Sequence, residues 1–327
     1  MKLLLVGNYG VGNLGDEALK EYFLTRFPEI EWTVLSASPE NSHSVPRLPF
    51  GIRSLLTTPW WRTFKALKKA DAVVFGGGSL FTDSESVKAC FLWWWHTAVA
   101  RLAGKPFLLA FQGIGPFRTM IGESLTKSAI KHARFISVRD EESAKRVGVW
   151  FPPFAKATGD KGDRVRVVVS FDPVVSLLPG SSDTSRSENI LAIIPRANSG
   201  DVLRNAVRDV LAAKKPASVR ILSVQPDDPV EQQVCASLTQ QIGAGVAVHT
   251  IRSLGELTQQ LSACSSVITE RYHGALAALA MGIATQIIPQ QDGDKLDRLR
   301  KETIDVSLLR ERVTAAEDQL RKTLNML

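Results

Sequence analysis

The chain has 327 residues, of which 44% are hydrophobic and 22% are charged, and its formal net charge is +7. These proportions are typical of a soluble globular protein, and the length allows two α/β domains with full cores. The three cysteines, Cys90, Cys235 and Cys264, lie far apart without metal-ligand spacing, which predicts neither a disulfide framework nor a zinc site and suits a reducing cytosol. The basic charge favours an anionic substrate or acidic lipid headgroups, whereas no basic block with interleaved aromatic residues indicates nucleic acid.

The N-terminal apolar run, residues 1–6, leads directly into a glycine-rich turn and has no cleavage-site pattern. It therefore predicts a first β-strand and not a signal peptide. The most membrane-like segment is residues 89–95, but His96 and Arg101 interrupt it well before the ~20 apolar residues that a membrane span requires. We predict a buried helix here. A minority alternative is that its three consecutive tryptophans contact a lipid surface or a lipid-linked substrate.

Short apolar runs alternate with helical stretches along the first half of the chain. The predicted strands are residues 2–6, 32–35, 72–75, 107–111 and 135–138. The predicted helices are residues 16–27, 61–69, 86–103 and 123–133. Because the apolar runs are continuous and not alternating, both faces of the sheet are expected to be buried, which favours parallel strands. Residues 1–180 are therefore predicted to form a doubly wound α/β domain.

A segment rich in proline, glycine and small polar residues, residues 179–189, is the predicted linker. After it the alternation starts again, with predicted strands at 190–194, 219–224, 246–249, 267–269 and 285–288. The predicted helices are 201–213, 229–242, 254–263 and 274–281, followed by a charged helical tail from residue 296. A second α/β domain is thus expected over residues 190–327. The predicted fold has two doubly wound Rossmann-like domains that face a cleft.

The first glycine-rich turn, residues 10–15, matches the dinucleotide fingerprint GxGxxG between a strand and a helix. Two features argue against a nicotinamide cofactor. The second predicted strand is followed by residues 36–38, Ser-Ala-Ser, where the fingerprint requires an acid. Asp16 and Glu17 begin the helix where a pyrophosphate would bind, and they suit the helix dipole but repel an anion. We expect a tight turn and no bound dinucleotide.

Two further glycine-rich segments, residues 76–83 and 112–116, follow predicted strands. Three of the first four strands therefore end in glycines, which predicts that the backbone approaches a ligand along one sheet edge. The binding residues predicted along this edge are Asn13, Gly77, Gly78 and Gln112. Asp83 lies just beyond the second segment and is a candidate base, but a role as a helix N-cap is equally open. Asp140 is predicted to cap the helix that follows it, and Arg139 faces the cleft only in a minority alternative.

Arg271 and His273 follow a short apolar run and precede a helix of small apolar residues, 274–281. A cation and an imidazole are thereby placed at the end of a strand and the start of a helix, where α/β proteins bind anions. A buried turn is a costly place for two polar residues that lack a partner, and we expect that partner to be an anion. Arg196 ends the first strand of the second domain, so it occupies a similar position and would complete a two-armed clamp.

In this order the motifs resemble the polysaccharide pyruvyl transferase family, bacterial cell-wall and exopolysaccharide enzymes that include the CsaB type. The matching segments are residues 7–19, 76–83, 112–116, 138–143, 172–173 and 271–273 with the helix that follows. Thr269 and Glu270 depart from the family pattern, which has apolar residues before the Arg-x-His motif. The region after Pro289 matches loosely, with Lys295 as the counterpart of a family lysine.

The resemblance implies a GT-B-like fold and transfer of the pyruvyl group of phosphoenolpyruvate onto two sugar hydroxyls as a cyclic ketal, with release of phosphate. It implies phosphoenolpyruvate as co-substrate, no further cofactor, no metal, and a nucleotide- or lipid-linked sugar acceptor. The expected location is the cytoplasm, with peripheral contact at the inner face of the membrane. No nucleic-acid partner is implied.

The predicted roles follow from this chemistry. Arg196 and Arg271 bind the phosphate and the carboxylate of phosphoenolpyruvate. His273 is the acid that protonates either the methylene carbon or the departing phosphate, because its pKa is expected near neutrality. Asp83 is the first candidate to accept the hydroxyl protons, with Asp16 as the second. Two alternatives stay open: a GT-B glycosyltransferase that uses a nucleotide sugar, and a non-catalytic glycan-binding relative.

Overall fold

The computed structural model describes residues 1–39, 41–50, 52–84, 86–151, 167–180, 189–291, 294–301 and 305–327. These residues form two parallel β-sheets and twelve α-helices. The predicted α/β class is therefore confirmed.

The first sheet has seven strands, each formed by a short apolar run. In chain order they are β1 (Lys2–Val6), β2 (Glu31–Ser36), β3 (Ser44–Pro46), β4 (Ala72–Phe81), β5 (Phe107–Ile114), β6 (Phe135–Val138) and β7 (Val167–Val169). The accompanying helices are α1 (Leu14–Arg26), α2 (Ile52–Thr57), α3 (Trp61–Lys69), α4 (Val87–Leu102), α5 (Met120–His132) and α6 (Glu141–Trp150). The strand order is β3-β2-β1-β4-β5-β6-β7, and all neighbours are parallel. The order reverses between β1 and β4, which is where such sheets bind ligands.

The second sheet has five strands: β8 (Ile190–Ile194), β9 (Ser218–Ser223), β10 (Val246–Thr250), β11 (Ser266–Thr269) and β12 (Ala284–Ile287). Its helices are α7 (Asp201–Lys214), α8 (Pro229–Ile242), α9 (Leu254–Ser262), α10 (Tyr272–Ala280) and α11 (Lys295–Lys301). The order is β10-β9-β8-β11-β12, again with parallel neighbours. The reversal lies between β8 and β11, the two strands that Arg196 and Arg271 follow by two residues each.

Several helices begin where the sequence has a short polar side chain that accepts a hydrogen bond from the first turn. The capping residues are Ser86, Thr119, Asp140, Asp228 and Ser253. The predicted N-cap at Asp140 is confirmed by its bond from the Ser143 N–H, 2.7 Å long.

The chain divides into two compact units. The first contains Met1–Val11, Leu19–Pro173 and Leu308–Leu327, and the second contains Gly12–Ala18 and Val174–Ser307. Of the predicted linker, residues 181–188 lie outside the described residues.

The last helix, α12 (Val306–Leu324), is predicted with the second domain but packs in the first unit. Its buried Glu317 accepts hydrogen bonds from Tyr22 Oη at 2.7 Å and from both Nε and Nη2 of Arg26. The guanidinium of Arg321 lies 4.2 Å from the centroid of the Phe27 ring. The sequence does not indicate this packing, because the partners of α12 are about 290 residues away.

Two predicted turns are parts of strands. β4 continues through the glycines to Phe81, and β5 continues to Ile114. Gly77 and Gly78 have φ values of +82° and +86°, and the register with β5 shifts just after Gly78. Positive φ at two glycines produces a bulge, so the strand bends without ending.

The tryptophan-rich segment forms α4, as predicted. Trp93 is buried in the core of the first unit, and Trp94 and Trp95 are partly buried. Within the described residues, no helix is both long enough and apolar enough to cross a bilayer.

Candidate functional site

The carboxyl ends of β8 and β11 place two arginines next to each other on the second sheet. The strands are paired with Ile194 opposite Thr269, so Arg196 and Arg271 follow neighbouring strand ends. Arg271 also begins α10, whose first turn carries His273. The three residues predicted from the sequence to hold an anion are therefore on one edge of one sheet.

One half of the Arg271 guanidinium is held by the protein. Its Nε donates to the Pro195 carbonyl at 3.0 Å, and its Nη2 donates to Gln225 Oε1 at 2.7 Å and to the carboxylate of Glu231. The Nη1 group has no hydrogen-bond partner among the described residues. Arg271 thus has a fixed orientation and keeps one pair of N–H donors for a ligand.

Glu231 fixes Arg271 and was not found from the sequence. Its side chain is fully buried, and its Oε1 accepts hydrogen bonds from Ser223 Oγ at 2.9 Å and from the Gln225 N–H at 2.8 Å. In the sequence it is an acid in the first turn of α8, a common position for an acid that only stabilises the helix dipole. The sequence around Glu231 does not show that the start of α8, which follows β9, brings its carboxylate to Arg271.

Arg196 is half-buried, and its guanidinium has no hydrogen-bond or ion-pair partner among the described residues. Burial is the main cause that lowers the pKa of Arg271, and the charge of Arg196 lowers it further, whereas the Glu231 carboxylate raises it. Arg196 is therefore close enough for its charge to act on Arg271. Two cations with uncovered donors on one sheet edge have the charge and the donors that an anion with two acidic groups requires.

Glu270, where the sequence departs from the family pattern, is buried beside this site. Its carboxylate accepts hydrogen bonds from Ser199 Oγ and from Gln290 Nε2, the latter at 3.3 Å. The same Ser199 hydroxyl accepts the backbone N–H of Arg196 at 2.8 Å. Glu270 therefore orders the turn that carries Arg196, and its own charge is partly offset by two hydrogen-bond donors.

His273 lies against the start of α1. A methyl group placed on Gly15 would overlap Nδ1 and Cε1 of His273, so the imidazole is packed on the Gly15 backbone. Gly15 belongs to the segment Gly12–Ala18, which is part of the second unit. The Gly15 N–H donates to Asn13 Oδ1 at 3.0 Å, and the next residue is Asp16, half-buried in the first turn of α1. Three candidate residues, His273, Asn13 and Asp16, therefore meet around one glycine.

A further cation, Lys295, lies against Tyr272, the residue between Arg271 and His273. The Tyr272 ring meets the imidazole of His273 edge to face, with centroids 5.2 Å apart. The exposed Lys295, the residue that is matched loosely with a family lysine, places its Nζ 5.2 Å from the centroid of the same tyrosine ring.

Asp83 has a structural role. It is buried, and its carboxylate accepts the backbone N–H groups of Arg118 and Thr119, at 2.6 and 2.9 Å, together with the Thr119 hydroxyl. Burial acts to raise the pKa of Asp83, but these hydrogen bonds lower it more, so the net pKa lies below the usual range. A buried carboxylate with a depressed pKa is a poor base. These hydrogen bonds anchor the start of α5, and they favour Asp16 over Asp83 as the candidate base.

The glycines of β4 approach the protein itself. A methyl group on Gly76 would overlap Tyr9 Oη, and one on Gly77 would lie 2.9 Å from Leu19 Cδ2. Tyr9 Oη also donates to the Gly76 carbonyl at 2.8 Å. Packing therefore requires a small residue at Gly76 and Gly77, and the bulge uses the positive φ of Gly77 and Gly78, whereas their contact with a ligand stays a prediction.

Gln112 and Arg139 brace the same sheet edge. Gln112 is fully buried, and its Nε2 donates to the carbonyls of Phe75 and Ala110 at 2.9 and 3.0 Å. Arg139 is buried and pairs with Asp172 at 3.3 Å. It also donates to Ser79 Oγ at 2.6 Å. Both side chains therefore hold neighbouring strands and loops of the first unit together, and the binding role of Gln112 stays a prediction.

Comparisons with known proteins agree on the family and the fold. Residues 13–288 match the sequence model of the polysaccharide pyruvyl transferase family. No curated protein has a significant sequence match to the chain. Among solved structures, Anabaena HepE in complex with UDP-glucose is 12% identical, with a TM-score of 0.59 and all of both chains covered. The UDP-GlcNAc 2-epimerase from Neisseria meningitidis bound to UDP-GlcNAc is 11% identical, with a TM-score of 0.62, covering 98% of this chain and 100% of that one. The fold is thus that of GT-B-like UDP-sugar enzymes, as the resemblance implied.

Proposed function

Because the chain belongs to the polysaccharide pyruvyl transferase family, which is a family of transferases, we propose that it uses phosphoenolpyruvate as the pyruvyl donor. The acceptor is a sugar of a cell-envelope polysaccharide or its precursor, the product is a cyclic ketal, and phosphate is released. The observation that carries this proposal is the pair of arginines, Arg196 and Arg271, on the sheet edge that also holds His273.

Phosphoenolpyruvate carries a phosphate and a carboxylate, so it requires two cationic contacts. Arg196 supplies a guanidinium without a protein partner among the described residues, and Arg271 supplies its Nη1 edge. The N-terminus of α10 adds N–H groups and a favourable dipole. Glu231 holds Arg271 in place before the substrate arrives, so that little conformational entropy is lost on binding.

The chemistry requires one acid and one base. Protonation of the methylene carbon leaves an oxocarbenium-like carbon, to which the first sugar hydroxyl adds. The C–O bond to phosphate then breaks, and the second hydroxyl closes the ketal. Of the two hydroxyl protons, one balances the new methyl C–H bond and the other leaves on the phosphate.

His273 is the proposed acid, for the carbon or for the departing phosphate. Since Asp83 anchors α5, Asp16 becomes the proposed base. It follows Gly15, on which the His273 ring rests. Asn13 keeps its Nδ2 donors free of partners among the described residues, and it is the proposed contact to the sugar. No group beyond the two substrates is needed to balance the reaction.

A nucleotide-linked sugar is the first acceptor to test. HepE and the Neisseria epimerase, which share this fold, were solved with UDP-sugars. A lipid-linked acceptor is the second.

The test is phosphate release from phosphoenolpyruvate with a panel of nucleotide- and lipid-linked sugars, followed by mass spectrometry of the products. We expect acceptor-dependent release and a product heavier than the acceptor by one pyruvate ketal. His273→Ala is expected to abolish release, whereas the control His249→Ala, at a half-exposed histidine of β10, retains it. Transfer of a sugar from a nucleotide sugar without phosphoenolpyruvate would contradict pyruvyl transfer and favour a glycosyltransferase. Phosphoenolpyruvate binding without release under any acceptor would favour the non-catalytic relative.

A further inference from the structure

The helices α2 and α3 of the first unit expose a group of large apolar side chains, Leu55, Leu56, Trp61 and Phe64, here called the α2–α3 surface. Leu56 is 79% exposed and Trp61 is 61% exposed. These exposed fractions are high for large apolar side chains. Groups of exposed apolar side chains on a soluble protein mark interaction sites.

The orientation of α3 explains why these side chains point outward. Thr63 and Leu67 form its buried face: the Thr63 hydroxyl donates to the Pro46 carbonyl, and Leu67 packs in the core of the first unit. At 100° per residue, Trp61 lies about 140° from the centre of this buried face and Phe64 about 80° from it, so Trp61 is on the opposite face and Phe64 on its flank. The helix cannot turn them inward without removing Leu67 from the core.

The apolar side chains of the two helices are also tied to each other. Trp60 donates its indole N–H to the Leu55 carbonyl at 3.1 Å. Its ring meets that of Phe64 at a centroid distance of 5.6 Å. Trp60 therefore holds the end of α2, which carries the exposed Leu55 and Leu56, next to the start of α3.

Basic residues share the exposed face of α3, where Lys65 and Lys68 lie beside Trp61 and Phe64, with Lys69 at its edge. None of these three lysines makes an ion pair within the described part of the chain. The sequence has no Asp or Glu between residues 41 and 70, although the chain contains 33 of them. The patch therefore combines interfacial aromatic side chains with positive charge that no local acid offsets.

We propose that the α2–α3 surface binds an anionic lipid bilayer, with Trp61 and Phe64 in the interfacial layer and the lysines on the headgroups. Aromatic rings favour that layer, and lysines extend their stems along it while the ammonium groups contact lipid phosphates. A second copy of the chain fits less well, because a two-fold contact would place the lysine clusters against each other. This inference does not depend on the Arg196–His273 site.

The experiment is co-sedimentation of the full chain with vesicles of phosphatidylcholine alone and of phosphatidylcholine with 30% phosphatidylglycerol. We expect binding to the anionic vesicles only, and weaker binding as salt is raised. Trp61→Ala/Phe64→Ala and Lys65→Glu/Lys68→Glu/Lys69→Glu should each weaken binding at least tenfold. The matched control, Val202→Ser/Arg208→Glu/Lys214→Glu on the exposed face of α7, should bind like the wild type. Circular dichroism checks that each variant is folded.

Brominated lipids test insertion directly, because they quench only tryptophans that enter the bilayer. Quenching should fall in Trp61→Phe relative to the wild type. Absence of vesicle binding by the wild type, or equal binding by both variants and the control, would overturn the inference. If light scattering instead shows a wild-type dimer that Trp61→Ala/Phe64→Ala dissociates, without vesicle binding, the occupant of the surface is a second copy and the lipid assignment is wrong.

Discussion

The imidazole of His273 is packed on the backbone of Gly15, so closely that a methyl group at Gly15 would overlap two of its ring atoms. The Gly15 N–H also donates to Asn13 Oδ1, and Gly15 lies in the first turn of α1 directly before Asp16. The glycine fingerprint that resembles a dinucleotide site is thus needed here for another reason: only a residue without a side chain lets the imidazole reach this turn.

Gly15→Ala should therefore reduce turnover without unfolding the protein. Gly15 lies in α1 and its φ is not positive, so alanine suits the backbone there and even raises helix propensity. The new methyl group must displace His273, and a displacement of about 1 Å costs on the order of 100-fold in kcat. Steady-state kinetics and a thermal melt measure the two effects. Gly148→Ala is the control, because Gly148 lies in α6 with open space around its Cα. An unchanged kcat in Gly15→Ala would show that the ring position does not matter for catalysis.

Replacing Arg271 by alanine should destabilise the protein more than replacing Arg196. Arg271→Ala leaves the buried Glu231 carboxylate without its ion-pair partner, which costs about 3–5 kcal/mol of unfolding free energy. Arg196→Ala should cost less than about 1 kcal/mol, because Arg196 has no partner to lose among the described residues. Urea unfolding measures both. Equal losses would contradict the division of roles, in which Arg271 is fixed by the fold and Arg196 is held for the ligand.

Replacement of Asp83 should mainly reduce stability, whereas replacement of Asp16 should mainly reduce activity. Asp83→Asn places an amide among N–H donors and should cost about 1–3 kcal/mol of stability, with nearly normal activity in the folded fraction. Asp16→Asn should cost less stability than Asp83→Asn, because Asp16 is only half-buried in the first turn of α1, and should lower kcat by roughly 10²–10⁴-fold. Denaturation and kinetics on both variants decide which residue is the base. Loss of turnover in a folded Asp83→Asn protein would return that role to Asp83.

His96 should make stability depend on pH below neutrality. Its Nδ1 bonds the Leu92 carbonyl and its Nε2 accepts the Leu48 N–H, and burial lowers its pKa from 6.5 to about 4. The unfolded chain therefore binds a proton that the folded chain does not between these two values. Stability is complete above pH 6.5 and is lost as the pH falls toward 4, by about 2 kcal/mol at pH 5.

Urea unfolding at pH 7.5 and pH 5 measures this loss. The pKa values of His132 and His249 are also lowered, mainly by desolvation, but both side chains are largely or partly exposed and contribute less. The lowered pKa of Asp83 acts only below about pH 4 and stays outside this window. His96→Gln can make both hydrogen bonds and should remove most of the pH dependence. A slope that His96→Gln leaves unchanged would assign the effect to other groups.

The sequence predicts the bounds of a strand or helix well where residues within and next to that segment determine them. β1 and β6 match their predicted bounds, because continuous apolar runs between turn residues have one compatible conformation in a parallel sheet. α8 also has its predicted bounds, since Asp228 and Pro229 define its start and Gly243 its end. Elements whose ends depend on distant partners were less predictable: β4 and β5 run past their glycines because they continue to pair with each other.

The residues of the candidate site also differ in whether the local sequence predicts them. Arg196 and Arg271 could be predicted because each directly follows a strand, and residues at parallel strand ends share an edge. Glu231 could not, because its partner is 40 residues away and its local position suits any helix-stabilising acid. The contacts of Asp83 could not be predicted for a related reason: it accepts backbone N–H groups 35 and 36 residues later, and the local sequence does not show them.

Calorimetric titration of phosphoenolpyruvate into the wild-type protein and into Arg196→Ala tests the central claim most directly. We expect one binding event in the wild type and at least tenfold weaker binding in Arg196→Ala, with both proteins equally folded. The control Arg208→Ala, at an exposed arginine of α7, should bind like the wild type. Absence of binding to the wild type, or equal affinity in Arg196→Ala, would contradict an anion site at the ends of β8 and β11.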